Sequence, residues 1–191
     1  MIQTEIICIG RLGEQYLRDA AAEYTKRLAP YTKLSITELK EERQRGSGSM
    51  AEAAVMTAES ARLLTAAGRS TDNTVAGRKQ CSASVQDAYL VTLDSKGKRI
   101  TSEEFAALVG LVGFGADGRL SNGAGLGPAE AKSRLVFLIG GSLGLADEAR
   151  TAADLVLSFS DMTFPHQLMR IILLEQLYRA HKILRGETYH K

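Results

Sequence analysis

The sequence has few of the residues that hold metals or form disulfides. Its 191 residues include two cysteines, three histidines and no tryptophan. Cys8 and Cys81 lie far apart and belong to no CxxC pair, which favours reduced thiols and gives no zinc site. His166, His181 and His190 lack the i, i+4 spacing of a zinc pair on a helix, and a lone histidine is more often structural or solvated than catalytic. We therefore expect neither a bound metal nor a disulfide-stabilised fold.

Long hydrophobic runs and a strong net charge are also absent. No apolar run approaches the ~20 residues that a membrane span needs, and Glu5, close behind Ile2, breaks the pattern of a signal peptide. These absences predict a cytoplasmic protein without a membrane partner. The 24 basic and 22 acidic residues leave a net charge of +2, which is too small to indicate nucleic-acid binding through bulk electrostatics. The segment from Arg170 to Lys191 is more basic, with five cationic side chains against two acidic ones.

Apolar residues recur with the spacing of strands and helices in alternation. Hydrophobic residues make up 45% of the chain and charged residues 24%, as in ordinary globular domains. Ser49 with Glu52, and Thr101 with Glu104, form capping-box patterns that predict helix starts. This order predicts a single α/β domain over residues 1–191, with a mostly parallel sheet flanked by helices. Strands are expected at residues 4–9, 34–39, 88–93, 135–139 and 155–159, and helices at residues 16–28, 49–64, 101–112, 146–153 and 167–184.

Two segments, residues 69–87 and 113–134, carry no apolar face and are predicted to be loop insertions outside the core. The second contains Gly113, Gly115 and Gly118 in the GxGxxG spacing of dinucleotide-binding proteins. Because a helix precedes these glycines and further loop follows them, that interpretation is disfavoured.

Another set of glycines follows a buried strand directly. Gly140, Gly141 and Gly144 come after the apolar run at residues 135–139, at the strand end where open α/β sheets bind ligands. The next loop, residues 157–167, mixes apolar side chains with hydroxyls and suits a flat heteroaromatic ligand such as adenine. An ordinary turn at the glycines, and a hydrophobic loop that docks on the core, explain the same residues equally well. Both interpretations stay open on the residues alone.

The last helix is apolar nearly all round in its first half. It carries eleven apolar side chains between residues 168 and 184. A small sheet covers one face of such a helix. We therefore expect the other face to cover a second subunit, in a homodimer with a two-fold axis.

Four stretches of the chain resemble a known family. They are EYTKRLAPYTK at residues 23–33, LVFLIGGSLGL at 135–145, LSFSDMTFPHQLMR at 157–170 and LLEQLYRAHKILRGETYHK at 173–191. They are similar to the bacterial 23S ribosomal RNA (pseudouridine-N3)-methyltransferases, the large-subunit rRNA methyltransferase H family of the SPOUT class. The resemblance implies a SPOUT fold with a deep C-terminal trefoil knot, S-adenosylmethionine as cofactor, an obligate homodimer, and methylation of N3 of a pseudouridine in 23S rRNA on the ribosome.

The resemblance also assigns roles to individual residues. Tyr189 and His190 would lie beside the target base as catalytic residues, with His190 as proton acceptor or organiser of the base. Arg170 and Arg185 would bind the RNA across the dimer interface. The cofactor contacts would be Leu93, Gly140, Phe159, Ser160, Asp161, Met162, Thr163 and Phe164.

A function of another class is the alternative. The chain would then be a non-catalytic dimeric RNA-binding or ribosome-associated factor that retains the SPOUT fold. A SPOUT methyltransferase with another RNA target is a further alternative. Because a pure binding protein has no use for a cofactor cradle, the glycine turn and the FSDMTF loop favour the enzyme.

Overall fold

The computed structural model describes residues 2–44, 46–69, 88–114 and 132–189. Most of the two predicted insertions, together with Cys81 and His190, therefore lie outside the described residues. In the described ranges, strands and helices alternate as predicted. In chain order they are β1 (Gln3–Ile9), α1 (Gln15–Leu28), β2 (Lys33–Leu39), α2 (Ser49–Ala66), β3 (Ala88–Arg99), α3 (Ser102–Phe114), β4 (Arg134–Ile139), α4 (Asp147–Ala152), β5 (Leu155–Ser158) and α5 (His166–Leu184).

The element boundaries differ from the predicted ones at two places that matter. The β3 strand continues six residues beyond its predicted end at residue 93. The α3 helix includes Gly113 and Phe114, and β4 begins at Arg134, so the second insertion is shorter at both ends than predicted. No helix in the described part of the chain is long and apolar enough to cross a membrane.

The five strands form one sheet in the order β2-β1-β4-β3-β5. All neighbouring strands in the described residues pair in parallel, so their carboxyl ends meet at one edge. From β1 the chain adds β2 on one side of the sheet, and the later strands β3, β4 and β5 all lie on the other side of β1. Where the order of strands reverses in this way, a crevice opens at their carboxyl ends, and α/β proteins bind ligands there. The predicted parallel α/β fold is confirmed, and the trefoil knot stays a prediction.

The sheet is buried on both faces, which explains the uninterrupted apolar run in β4. Leu135 and Phe137 belong to the cluster formed with α1, α3 and α5. Val136 and Leu138 belong to the opposite cluster, formed with α2 and α4. All four side chains are completely buried, so β4 anchors both layers of the core.

The α5 helix is covered on more sides than its sequence alone indicated. It contacts α1, α3 and β4, and Leu173, Leu174 and Leu177 are completely buried. Helices of the same chain therefore account for much of its apolar circumference. Leu168, which is 38% exposed, is the large apolar side chain of α5 that stays most open to solvent among the described residues.

One of the two predicted capping boxes forms and the other does not. The Thr101 backbone N–H donates to Glu104 Oε2 at 2.7 Å, and the Glu104 N–H donates to Thr101 Oγ1 at 3.2 Å. Ser49 instead lies inside α2, whose N-cap is Gly48 with a φ of 104° and no side-chain cap. The Ser49 prediction is wrong because the chain enters α2 through a left-handed glycine that puts Ser49 one position too late.

Alanine at Thr101 and alanine at Ser49 should change the free energy of unfolding differently, because only Thr101 caps its helix. Thr101→Ala should lower the free energy of unfolding by about 1 kcal/mol, because it leaves an N–H of the first turn of α3 without its acceptor. Ser49→Ala should leave it unchanged or raise it by a few tenths of a kcal/mol, about the difference in helix propensity. Urea denaturation of the two variants measures both values. Equal losses would contradict the cap assignment.

Candidate functional site

A cavity of about 420 Å³ opens at the carboxyl ends of β3, β4 and β5. Three segments form it: residues 93–95 within β3, the glycine loop at residues 139–145, and the loop from β5 into α5. The last segment contributes residues 157–160 and 162–166, and Met169 of α5 completes the wall. The parallel sheet brings these segments together although Leu93 and Met169 are more than seventy residues apart in the sequence.

Most of the residues predicted to contact a cofactor line this cavity. The exception is Asp161, whose side chain is 78% exposed and pairs with Arg99 outside the cavity. The Ser160 hydroxyl holds the loop by accepting the Met162 N–H at 3.0 Å. The predicted residues on the cavity wall are Leu93, Gly140, Phe159, Ser160, Met162, Thr163 and Phe164.

The glycine loop needs glycine for its own conformation. Gly144 has a φ of 85° and donates its N–H to Gly141 O at 3.1 Å. A Cβ on Gly140 would lie 2.8 Å from Gly144 O and 2.8 Å from Leu145 Cγ. A side chain at Gly140 would thus distort the loop itself before it met any ligand. Gly140 variants are therefore poor reporters of ligand contact.

A buried carboxylate lies behind the same loop. A Cβ on Gly141 would come within 2.7 Å of Glu59 Oε2, and Glu59 accepts the Glu42 N–H at 2.9 Å. Glu59 is only 4% exposed, and burial raises the pKa of its carboxyl. The neighbouring Ser60 hydroxyl accepts the N–H of Ala146, just after the loop, at 2.9 Å. Glu59 and Ser60 of α2 therefore pack against the glycine loop and support it.

A bulge within β3 was not anticipated from the sequence. Leu93 and Lys98 both pair with Leu157 of β5, so the four residues between them bulge out of the ladder. The bulge carries Asp94 and Ser95 to the cavity wall. The sequence DSKG at residues 94–97 is a typical turn sequence, and it is the signal that would have located this feature.

Arg150 of α4 ties the cavity segments together. Its guanidinium donates to Asp94 Oδ2 at 2.7 Å and to the Leu145 carbonyl at 2.7 Å. It also bonds Asp147 at 2.5 Å, and this contact lowers the pKa of the Asp147 carboxyl. One side chain therefore fixes the β3 bulge against the end of the glycine loop.

The two arginines predicted to bind RNA have different environments. Arg170 is 1% exposed; it pairs with Glu38 and donates to the Gly10 carbonyl at 2.9 Å. Its prediction is wrong, because the guanidinium is buried and already bonded within the chain. Arg185 is half exposed and lies 4.4 Å from the Tyr31 ring centroid, so nucleic acid can reach it.

Tyr189 does not approach the cavity of its own chain. Its hydroxyl lies 3.3 Å from Glu175 Oε1, and its ring centroid lies 4.9 Å from that of Tyr178. Burial, with Tyr24 and Glu175 nearby, raises the pKa of its phenol to about 12. The phenol is therefore neutral at physiological pH, and it suits hydrogen bonding better than proton abstraction. The His190 prediction lies outside the described residues.

The described residues contain no cluster of three His, Cys, Asp or Glu side chains able to hold a metal ion. The cavity instead combines apolar walls, hydroxyls and the backbone of a glycine loop. Such a lining suits an organic ligand that has a flat ring and polar edges.

Comparison with known proteins assigns the chain to a class. Residues 2–117 and 123–190 match the family described as "Predicted SPOUT methyltransferase". The chain belongs to this family of methyltransferases.

Individual relatives match over nearly the whole chain. The ribosomal RNA large subunit methyltransferase H of Clostridium novyi (strain NT) is 40% identical over 97% of this chain and 98% of the relative. The protein of the same name from Carboxydothermus hydrogenoformans is 39% identical over the full length of both. A solved structure, a probable methylase family protein from Haemophilus influenzae Rd KW20, matches weakly, with 13% identity, a TM-score of 0.49, and 100% and 72% of the two chains covered.

The role of Arg150 in shaping the cavity predicts an effect without direct ligand contact. Arg150→Ala should weaken binding of the methyl-donor cofactor about tenfold or more, because each hydrogen bond from a charged donor contributes about 1.5–3 kcal/mol. Asp147→Ala removes the exposed partner and leaves the bonds to Asp94 and Leu145, so affinity should change little. Calorimetric titration compares the two variants. Equal affinities would show that the bridge does not shape the site.

Proposed function

We propose that this chain transfers a methyl group from S-adenosylmethionine to N3 of a pseudouridine in 23S ribosomal RNA, on the assembled ribosome. The observation that carries the proposal is the cavity, where residues assigned from the family resemblance come together at the carboxyl ends of β3, β4 and β5. The near full-length relatives named as rRNA large subunit methyltransferases support the RNA substrate.

The cavity fits the proposed cofactor in chemistry. Leu93, Leu157 and Phe159 offer apolar surface for an adenine ring, and the Phe159 ring is held edge-on against Phe105, with centroids 6.1 Å apart. The glycine loop at residues 139–145 lines the cavity, and its backbone offers hydrogen-bonding groups to a ligand. When bound, the cofactor supplies a methyl group already activated by a positively charged sulfur. The protein mainly positions the reactants and favours the anionic form of the base.

The target nitrogen carries a proton that must be lost before or during methylation. N3 of pseudouridine is an imide nitrogen, so the anion is the nucleophile. The chain's net charge of +2 is too low for tight binding to naked RNA through its phosphates. Recognition of a folded ribosomal site by shape fits this charge better. A non-catalytic RNA-binding or ribosome-associated factor would not need a cavity that fits the cofactor.

The proposed enzyme is a homodimer in which the tail of one chain reaches the site of the other. Tyr189 packs beside Glu175, nine residues and about 13 Å along α5 from His166 at the cavity. Tyr16 and Leu168, which are 68% and 38% exposed, lie at the starts of α1 and α5. The Gly13 N–H bond to Gln167 Oε1 at 2.8 Å joins these two helix starts. A second copy covering this surface would remove their apolar area from water.

The activity is tested by methyl transfer to ribosomes. We expect labelled S-adenosylmethionine to transfer its methyl group to ribosomes isolated from cells that lack the modification. The label should map to N3 of one pseudouridine in the large-subunit RNA, and ribosomes that already carry the methyl group should accept none. Label on a different nucleotide, or none at all, would contradict the proposed substrate.

The tail and the dimer are tested together. Removing residues 189–191 should spare folding and cofactor affinity and lower methyl transfer by about two orders of magnitude, the usual cost of misplacing the target base. Sedimentation should give twice the mass of one chain at micromolar concentration. A monomer, or a truncated enzyme with the wild-type rate, would refute the shared site.

A further inference from the structure

A second cavity adjoins the first at the same edge of the sheet. It has a volume of about 680 Å³ and is lined by Gly10, Arg11 and residues 38–43, at the carboxyl ends of β1 and β2. The exposed side chains of Arg11, Lys40 and Arg43 form no ion pair within the ranges that the structure describes. The acidic groups of this cavity are largely engaged, since Glu38 pairs with Arg170 and Glu42 with Arg62. The cations are thus available for phosphate groups.

His166 and Glu41 stand where the two cavities meet. His166 lines the first cavity and Glu41 lines the second. His166 Nε2 lies 3.8 Å from Glu41 Oε1, and Glu41 is the only acidic residue with an oxygen within 4 Å of a nitrogen of this ring among the described residues. Nε2 is buried and has no hydrogen-bond partner in that part of the chain. The other ring nitrogen, Nδ1, is not among the buried unpartnered atoms, and it makes no hydrogen bond to a described residue.

A second pair, Arg170 with Glu38, joins the same two segments as the His166–Glu41 pair and holds them in place. His166 and Arg170 are one turn apart on α5, and Glu38 and Glu41 lie three residues apart at the exit of β2. Arg170 pairs with Glu38 and bonds the Gly10 carbonyl. Gly10 has a φ of 82°, and a Cβ there would collide with the Glu41 carboxylate. Glycine at this position therefore leaves the space that Glu41 occupies beside His166.

We propose that His166 is a catalytic residue that accepts the N3 proton of the target base, with Glu41 behind it stabilising the imidazolium. This inference rests on the proposed function. The target nucleotide enters from the second cavity, where Arg11, Lys40 and Arg43 bind phosphates of its strand.

The proton, the bonds and the charges of this step balance. The N3–H proton moves to Nδ1 of His166 as the bond from N3 to the methyl carbon forms and the bond from that carbon to sulfur breaks. The sulfur keeps the electron pair and leaves as a neutral thioether. The imidazolium, paired with Glu41 through Nε2, then releases its proton to solvent.

The charged groups around His166 come from five elements. Glu38 and Glu41 lie in and just after β2, Arg170 lies on α5 and Arg11 follows β1. Asp94 of β3 lies on the wall of the first cavity and pairs with Arg150 of α4. Both ion pairs are internally neutralised. Glu41, 3.8 Å from Nε2, is therefore the nearest carboxylate to His166 that is not already in an ion pair with an arginine of the described residues.

The test is His166→Asn, measured with ribosomes that accept the wild-type methyl transfer. We expect the single-turnover rate at saturating ribosome and neutral pH to fall by about 10²–10⁴-fold, the usual contribution of general-base catalysis. Affinity for S-adenosylmethionine, measured by calorimetry, should stay within about threefold. The variant should recover rate as the pH rises, because solvent then removes the imide proton.

Glu41→Gln provides a second variant whose exposed side chain contributes nothing to the core. It should lower the same rate less than His166→Asn does and should also leave cofactor affinity unchanged. Glu23→Gln removes a carboxylate that pairs with Arg27 on the surface of α1, and it should behave as wild type. Arg11→Ala combined with Arg43→Ala should raise the KM for ribosomes with little change in kcat.

The possible outcomes separate the two proposals. An unchanged rate in His166→Asn, a loss of cofactor affinity in that variant, or the absence of recovery at high pH would each overturn the proton-acceptor role. A wild-type protein that methylates no ribosomal RNA would instead contradict the proposed function. If circular dichroism shows that His166→Asn does not fold, the rate of Glu41→Gln is the test instead. A wild-type rate in Glu41→Gln would overturn the proposed roles of His166 and Glu41.

Discussion

The buried guanidinium of Arg170 is the contact on which the geometry of the functional edge depends. A charge this deep in a protein is tolerated only when it is paired and hydrogen bonded. Glu38 and the Gly10 carbonyl bind the two terminal nitrogens of the guanidinium, whereas Nε has no partner among the described residues. The contact fixes α5 relative to the exits of β1 and β2. Because α5 begins at the wall of the first cavity and β2 ends at the second, one side chain sets the spacing between the two. Removing one partner would leave an uncompensated charge inside the protein.

Much of the fold is predictable from the sequence because it reflects local periodicity. The apolar run of β4, the spacing of α1 and the capping box at Thr101 each act over a few residues, and each is found where it was expected. The strand order could not be deduced this way. It depends on which strand pairs with which across long separations, and that information does not lie in any one segment.

The errors in the predicted site have physical causes. Arg170 looks like an RNA-binding residue because it belongs to a basic segment, yet it precedes the buried residues Leu173, Leu174 and Leu177 by three, four and seven positions. It therefore lies on the same stripe of the helix, and its position was a better guide than its charge. The bulge that brings Asp94 to the cavity was missed because β3 pairs with β5, leaves and pairs again, an irregularity set by the partner strand.

The way the sheet ends has a consequence for solubility. Unpaired edge strands are templates on which other chains can add strands and aggregate. In the described residues β5, at one edge, has only four residues, and β2, at the other, places the exposed Lys33 and Glu38 along its length. Neither edge offers the long, flat, apolar strand on which such assembly grows. A chain whose central strand is apolar from Leu135 to Ile139 is thereby kept from joining sheets with its neighbours.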